Sequence, residues 1–199
     1  MLAARDEFCR AGLAGAKLDV IAMQAEVSKQ LIHHYFRTKT ELYVAVVDET
    51  SALMIDELSR PSYEELPPVE ALRLYFHGVF DVLVRWPFAA GLFIDESLYE
   101  AEHLPRCREL WQRGPVLMER LSNIYADGQR AGIFKAQINA QAAMGASIMV
   151  VIGCFTGGKV LSGFLATDFS TPDKFRFWRD FAPEFALSAL RAVEMPKRP

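Results

Sequence analysis

The sequence has no strong charge of either sign. Lys and Arg number 22 against 25 Asp and Glu, a formal net charge of −3. That excludes a polycation that coats nucleic acid indiscriminately. Cysteine is scarce, and Cys9, Cys107 and Cys154 lie far apart without metal-ligand spacing. An odd count with no pairing pattern fits a reducing compartment rather than a disulfide framework. Each is expected to be a small buried hydrophobe. Cys107, flanked by Arg106 and Arg108, is the best candidate for a reactive thiol, because neighbouring cations lower a thiol pKa. No β alternation, internal repeat or low-complexity run is present. No GxSxG, P-loop, HExxH or Rossmann glycine pattern occurs, so no enzyme, metal or cofactor is expected. Met1–Leu13 carries Arg5, Asp6, Glu7 and Arg10, which is not a secretory signal.

One segment needs a membrane test. Ala136–Gly158 contains no charged residue and is long enough for a span. Gln137, Asn139, Gln141, Ser147 and the Gly157-Gly158 pair favour a buried helix of a soluble protein instead. A membrane-anchored chain would pellet with membranes.

What the chain does have is helical periodicity and 51% hydrophobic residues, enough for a real core. Leu18, Ile21, Ala22 and Ala25 fall at i, i+3, i+4 and i+7, one apolar helical face. Glu26-Val27-Ser28 makes a turn, and Ser28 is a good N-cap. In the next helix Ile32 and Phe36 share the inner face. Lys29 with His33, and Gln30 with His34, share outer ones. Thr38-Lys39-Thr40-Glu41 has the form of a capping box that opens a further helix. Two short helices across a tight turn make a helix-turn-helix, whose second helix fits a DNA major groove.

Val27-Ser28-Lys29-x-x-Ile32-x-x-Tyr35-Phe36-x-x-Lys39-x-x-Leu42-Tyr43 resembles the signature of the TetR family of bacterial transcriptional regulators. Leu2–Val47 is similar to that family's DNA-binding domain throughout; the remainder matches in architecture. The resemblance implies a DNA-binding head over residues 1–47 and a ligand-binding and dimerisation body over 48–199. It implies an all-α chain of about nine helices, a palindromic DNA operator, a homodimer, a small-molecule effector that releases DNA, and a cytoplasmic location. Members usually begin with a basic arm before the first helix, whereas this chain starts almost inside it. The arm contacts are therefore absent or lie before this start. The rival reading is an all-α small-molecule-binding protein or enzyme whose N-terminal bundle only braces the fold.

Residues 1–47 hold six Lys/Arg against five Asp/Glu, plus two histidines. With so slight a surplus, affinity must come from the placement of cations and from dimerisation. Gln30 can bridge adenine N6/N7, and Lys29 can donate to guanine or phosphate. His33 and His34 complete the outer face; as neighbours they point to different sides, which argues against one shared metal. Ser28 and Thr38 suit phosphate oxygens. Lys17 stands where the family usually has a Ser or Thr cap, which loses about 1 kcal/mol but offers a phosphate contact. By resemblance, Tyr35 and Lys39 also touch the DNA backbone. Glu26 stands where the family often has glycine; a left-handed backbone there costs a non-glycine residue roughly 1–2 kcal/mol.

Further helices are expected over Met1–Gly12, Thr38–Ser59, Val69–Trp86, Phe88–Leu98, Arg106–Ala131, Asn139–Leu165 and Pro172 to about Val193. Breaks or kinks are expected at Gly114-Pro115 and Pro183, and fraying over Pro196–Pro199. Aromatics crowd residues 75–111, and apolar pockets between helices are common ligand sites. Phe76, Phe80, Phe93, Glu96, Trp111, Met118 and Phe155 are the candidate pocket. Asn139–Leu165 mixes glycines and alanines with Ile148, Ile152 and Phe155, and the last helix carries Phe177, Phe181 and Phe185. Glycine inside a helix costs about 1 kcal/mol against alanine, so its use there suggests close helix approach. Those six large side chains are the candidate dimer contact, in line with the family's four-helix bundle.

Overall fold

A computed structural model describes residues 1–169 and 171–192. Pro196–Pro199, expected to fray, lie outside the described residues. Nine α-helices and two short 3-10 turns make up the regular structure among the described residues. They are α1 (Leu2–Gly15), α2 (Leu18–Gln24), α3 (Lys29–Tyr35), α4 (Lys39–Ser59), α5 (Pro68–Arg85), α6 (Pro87–Leu98), α7 (Arg108–Arg130), α8 (Ala140–Leu165) and α9 (Pro172–Leu190). Phe134 and Arg191 form an isolated antiparallel bridge, and no longer strand occurs among the described residues. The all-α expectation holds.

The chain divides into two compact units: Met1–Glu57 with Arg85–Gly114, and Leu58–Val84 with Pro115–Pro199. The first holds α1–α3, most of α4, α6 and the start of α7. Its core runs through Phe8, Ile21, Ala22, Ile32, Leu42, Tyr43, Val46 and Leu92. α6 belongs here because it packs on α1. The Arg5 guanidinium lies 3.9 Å from the Phe88 ring centroid, and Cys9 Sγ donates to the Phe88 carbonyl at 3.3 Å.

The helix expected to end at Gly12 instead bends there, at φ 64 and ψ 174, and continues for one more turn. The Asp95 carboxylate accepts from the Leu13 N–H at 3.0 Å, capping that last turn. A Cβ on Gly12 would sit 2.9 Å from Asp95 Oδ1, so both the backbone angle and the space demand glycine.

The second unit packs α8 against α9, with Leu72, Phe76, Phe80, Leu121, Tyr125, Phe134, Val151 and Leu187 at 2% exposure or less. Gly128 lies flat against the Phe134 ring, where any Cβ would collide, and Tyr125 stacks on the same ring at 4.9 Å. Asn139 caps α8 through the Ala142 N–H at 3.1 Å. Thr171 caps α9 through the Lys174 N–H at 3.4 Å, with Pro172 in the first turn. α7 runs unbroken through Pro115 and α9 through Pro183. Of the break or kink expected at Gly114-Pro115, the break does not occur. Pro115 is exposed, so water can serve the carbonyl one turn back that the missing N–H leaves unpaired.

Candidate nucleic-acid interface

α2 and α3 pack against each other, joined by the turn over residues 25–28. The Val27 N–H donates to the Ala22 carbonyl at 3.0 Å, and Ser28 Oγ accepts from the Leu31 N–H at 3.1 Å, as the cap reading expects. Glu26 is left-handed at φ 55, the strained geometry foreseen for a glycine position.

With the helix started at Ser28, Ile32 turns inward at 8% exposure and Phe36 packs on the same core. That fixes the rest of the helix by periodicity. Ser28, Lys29, Gln30, His33, His34 and Tyr35 are all exposed. Tyr35 is 71% exposed, and the His34 ring meets its edge at 5.3 Å. The hydrophilic flank and the apolar anchor separate as read. Lys17 caps α2 by position only, with no side-chain bond, and is exposed.

Two lysines have partners that spacing did not reveal. Lys29 Nζ is 3.0 Å from both carboxylate oxygens of Asp19 in α2. Lys39 Nζ donates at 3.0 Å to the carbonyls of Ala14 and Ala16, so it clamps the α1–α2 loop. Thr38 Oγ1 accepts from the Glu41 N–H at 3.1 Å, while the Glu41 carboxylate accepts from the Arg37 N–H at 2.9 Å. The box closes one residue earlier than its usual form.

Glu7 is a buried carboxylate behind the start of α2 that sequence reading missed. It is 1% exposed, yet it carries a charge. Burial alone would raise its pKa. The two hydrogen bonds from Arg10 at 2.9 Å, the Lys17 N–H at 3.1 Å and both cations outweigh that and hold it below the ordinary value. Nothing in the spacing Glu7…Lys17 marks the contact beforehand.

These features match known proteins. Residues 68–185 fit the family model "Tetracyclin repressor-like, C-terminal domain", and residues 1–46 fit "Bacterial regulatory proteins, tetR family". The chain belongs to the TetR family of bacterial transcriptional regulators. It is thus a DNA-binding regulator, not an enzyme. The HTH-type transcriptional repressor NicS of Pseudomonas putida is 25% identical over 92% of this chain and 87% of its own length. The HTH-type transcriptional repressor SCO4008 of Streptomyces coelicolor is 47% identical over 69% of this chain and 67% of its own. The crystal structure of the putative transcriptional regulator SCO4942 from Streptomyces coelicolor shares the fold. Its TM-score is 0.70 at 22% identity, covering 95% of this chain and 94% of that one.

The TetR-family body places the other candidates as follows. Phe76, Phe80, Met118 and Phe155 belong to the second unit; Phe93, Glu96 and Trp111 belong to the first. Phe80 and Phe155 stand 4.9 Å apart, with Phe175 at 5.3 Å from Phe155. Phe76 is fully buried and Met118 half-buried. In the first unit Phe93 and Trp111 are 45% and 59% exposed. Glu96 is buried, and its Oε1 is 2.9 Å from His103 Nδ1. Among the dimer candidates, Phe177, Phe181 and Phe185 are exposed and stack in a row, at 5.1 and 5.6 Å. Ile148 and Phe155 are half-buried and Ile152 is buried within the protomer. The open face of α8 is formed instead by Met149, Val160 and Phe164, and side chains added at Gly145, Gly157 and Gly163 would meet nothing. α8 is long and apolar enough to cross a membrane by composition, and only 22% of its most apolar window is buried in the protomer.

The structure removes Cys107 as a reactive thiol. It is fully buried, and desolvation pushes its pKa up to about 11, against the small opposing effect of Arg106. Cys9 and Cys154 are likewise raised by burial, to about 11 and about 12. All three are free.

Proposed function

We propose that this regulator is a cytoplasmic homodimeric repressor that leaves its operator when a small molecule binds the body. Residues 1–47 read DNA; residues 48–199 bind the effector and dimerise. The observation that carries the reading is α3 itself: Ile32 anchored inside, with donors of four kinds outside. Two α3 helices enter successive major grooves of a near-palindrome, with half-sites about 34–36 Å apart. Gln30 reads a base edge. Lys29 reads guanine or phosphate once it leaves Asp19. His33 and His34 flank the groove, and Lys17, Ser28, Tyr35 and Thr38 meet phosphates. Lys39 has one donor left beyond its two carbonyls for the DNA backbone.

The open face of α8 and α9 supports a second copy as its cover. A helix so apolar and so little buried within one protomer needs a partner, and the stacked phenylalanines with the uncovered glycines form a surface on which a symmetric helix pair can close. The Phe80–Phe155–Phe175 cluster supports an apolar or aromatic effector site in the second unit. Repression, rather than activation, rests on relatives whose names say repressor. Gel shifts with the DNA upstream of its own gene test the reading. Retarded DNA that a cognate small molecule releases is the expected result; no shift with any upstream fragment contradicts it.

A further inference from the structure

We infer that Asp95, a residue of α6 outside the helix-turn-helix, is a positioning residue for DNA binding: it holds the α1–α2 loop so that Lys17 stands fixed for the DNA backbone. The inference rests on the phosphate contact proposed for Lys17 above, and its test separates the two.

The loop has little with which to hold itself. Residues 12–16 read Gly-Leu-Ala-Gly-Ala, and only Leu13 carries a side chain larger than a methyl group. The backbone is held from outside, by charged side chains of three helices. Asp95 Oδ2 accepts from the Leu13 N–H at 3.0 Å. Lys39 Nζ of α4 donates to the carbonyls of Ala14 and Ala16, both at 3.0 Å. Glu7 Oε1 of α1 accepts from the Lys17 N–H at 3.1 Å. The Lys17 carbonyl accepts from the N–H groups of Val20 and Ile21, each at 3.1 Å. Lys17 is therefore pinned through both sides of its backbone, while its side chain is exposed. Bonds to ionised groups are about twice as strong as neutral ones, so three of them set the loop firmly.

Asp95 comes from farthest along the chain, and α6 is seated to deliver it. Phe88, Gly91 and Asp95 recur at i, i+3 and i+7, one stripe of the helix. The Arg5 guanidinium lies over the Phe88 ring. A Cβ at Gly91 would touch Cys9 at 3.9 Å. Asp95 then meets α1 at its bend, where a Cβ on Gly12 would sit 2.9 Å from Oδ1. Glycine there leaves room for the carboxylate. The stripe thus follows α1 from Arg5 to the bend and ends on the one side chain that reaches the loop backbone. A lysine on a loop already set in place loses less conformational freedom on meeting a phosphate than one on a loose Gly/Ala segment.

The test is fluorescence anisotropy of the full-length protein on the duplex recovered by selection from random oligonucleotides, over a range of salt. Asp95→Ala should bind about tenfold more weakly than wild type, because one charge-assisted contact is loosened in each head. Its salt slope should flatten by about 0.9 for each head. Lys17→Ala should show the same two changes. The double variant should match Lys17→Ala within about twofold, because residues that act through one contact are not additive. Asp95→Asn keeps an acceptor oxygen and should stay within about threefold of wild type. A merely structural Asp95 would lower the melting temperature, leave the salt slope alone and multiply with Lys17→Ala; that pattern overturns the inference while leaving the Lys17 contact intact. Lys17→Ala that binds as wild type does overturns both. Hydrogen exchange on the wild type needs no variant to fold. The Leu13 and Lys17 amides should be protected to within about threefold of the same degree with and without the duplex. Amides that exchange freely until DNA binds contradict a loop set in advance.

Discussion

Lys39 has one contact that the structure shows and another that only its place in the motif implies. The family pattern gives it a phosphate contact; the structure gives it the carbonyls of Ala14 and Ala16. Lys39→Met keeps the stem and removes the donors. It should destabilise the protein by about 1.5–3 kcal/mol, the usual worth of hydrogen bonds to a charged group, and weaken binding to every DNA sequence alike. Denaturant melts that leave stability unchanged would return Lys39 to the phosphate alone. Glu26 is a second residue whose cost is visible. Its φ of 55 predicts that Glu26→Gly stabilises by about 1 kcal/mol, because the αL penalty is lifted; a loss of stability would contradict that. Glu7 gives a pH prediction. Its folded pKa lies below the ordinary 4.5, so its contribution is present above that value and lost as pH falls through the folded one. Glu7→Gln should lower the melting temperature at neutral pH, with the gap to wild type closing in acid; parallel curves would sink the assignment. The donors of α3 were legible because one helix's periodicity orders them. The partners of Lys39, Glu7 and Asp95 were not, because each joins residues that only the tertiary fold brings together.

At the scale of elements, local chemistry was readable nearly everywhere it acts locally. Ser28 accepts the N–H three residues on, as its type and position implied, and Asn139 and Thr171 do the same at the starts of α8 and α9. Asn139→Ala should cost about 1 kcal/mol, read by chemical denaturation; no change would mean that the start of α8 is held from elsewhere. Helix interruption was less readable. Pro115 lies within a continuous helix where a break or kink was expected, since a proline's cost depends on whether water can absorb the missing bond; Pro183 lies inside α9, as the expected helix through it implied. Gly12 is similar. A stop was expected there, but the helix only bends, and the Asp95 cap that fixes the bend comes from α6, far along the chain. Gly128→Ala should be more damaging than its position inside a helix suggests, because the added methyl would displace the Phe134 ring. A melting temperature equal to wild type would contradict that close approach.

For the whole molecule, the helix-turn-helix and the long apolar α8 were the two features that sequence made plainest, and they point to one architecture. A motif with fixed offsets identifies the head. A helix with one charged residue, Lys159, and rich in small residues is little buried within one chain. The proposed effector site was least legible, because aromatic spacing looks the same in a core and in a pocket. The central claim is that the outer flank of α3 reads base edges from paired heads. Selection of bound sites from random oligonucleotides, with wild type and Gln30→Ala side by side, tests it most directly. Wild type should enrich a near-palindrome with half-sites about one helical turn apart. Gln30→Ala should relax one symmetric pair of positions by about 1–3 kcal/mol and leave the others intact. Recovery of no consensus, or of the same consensus from both proteins, would contradict it.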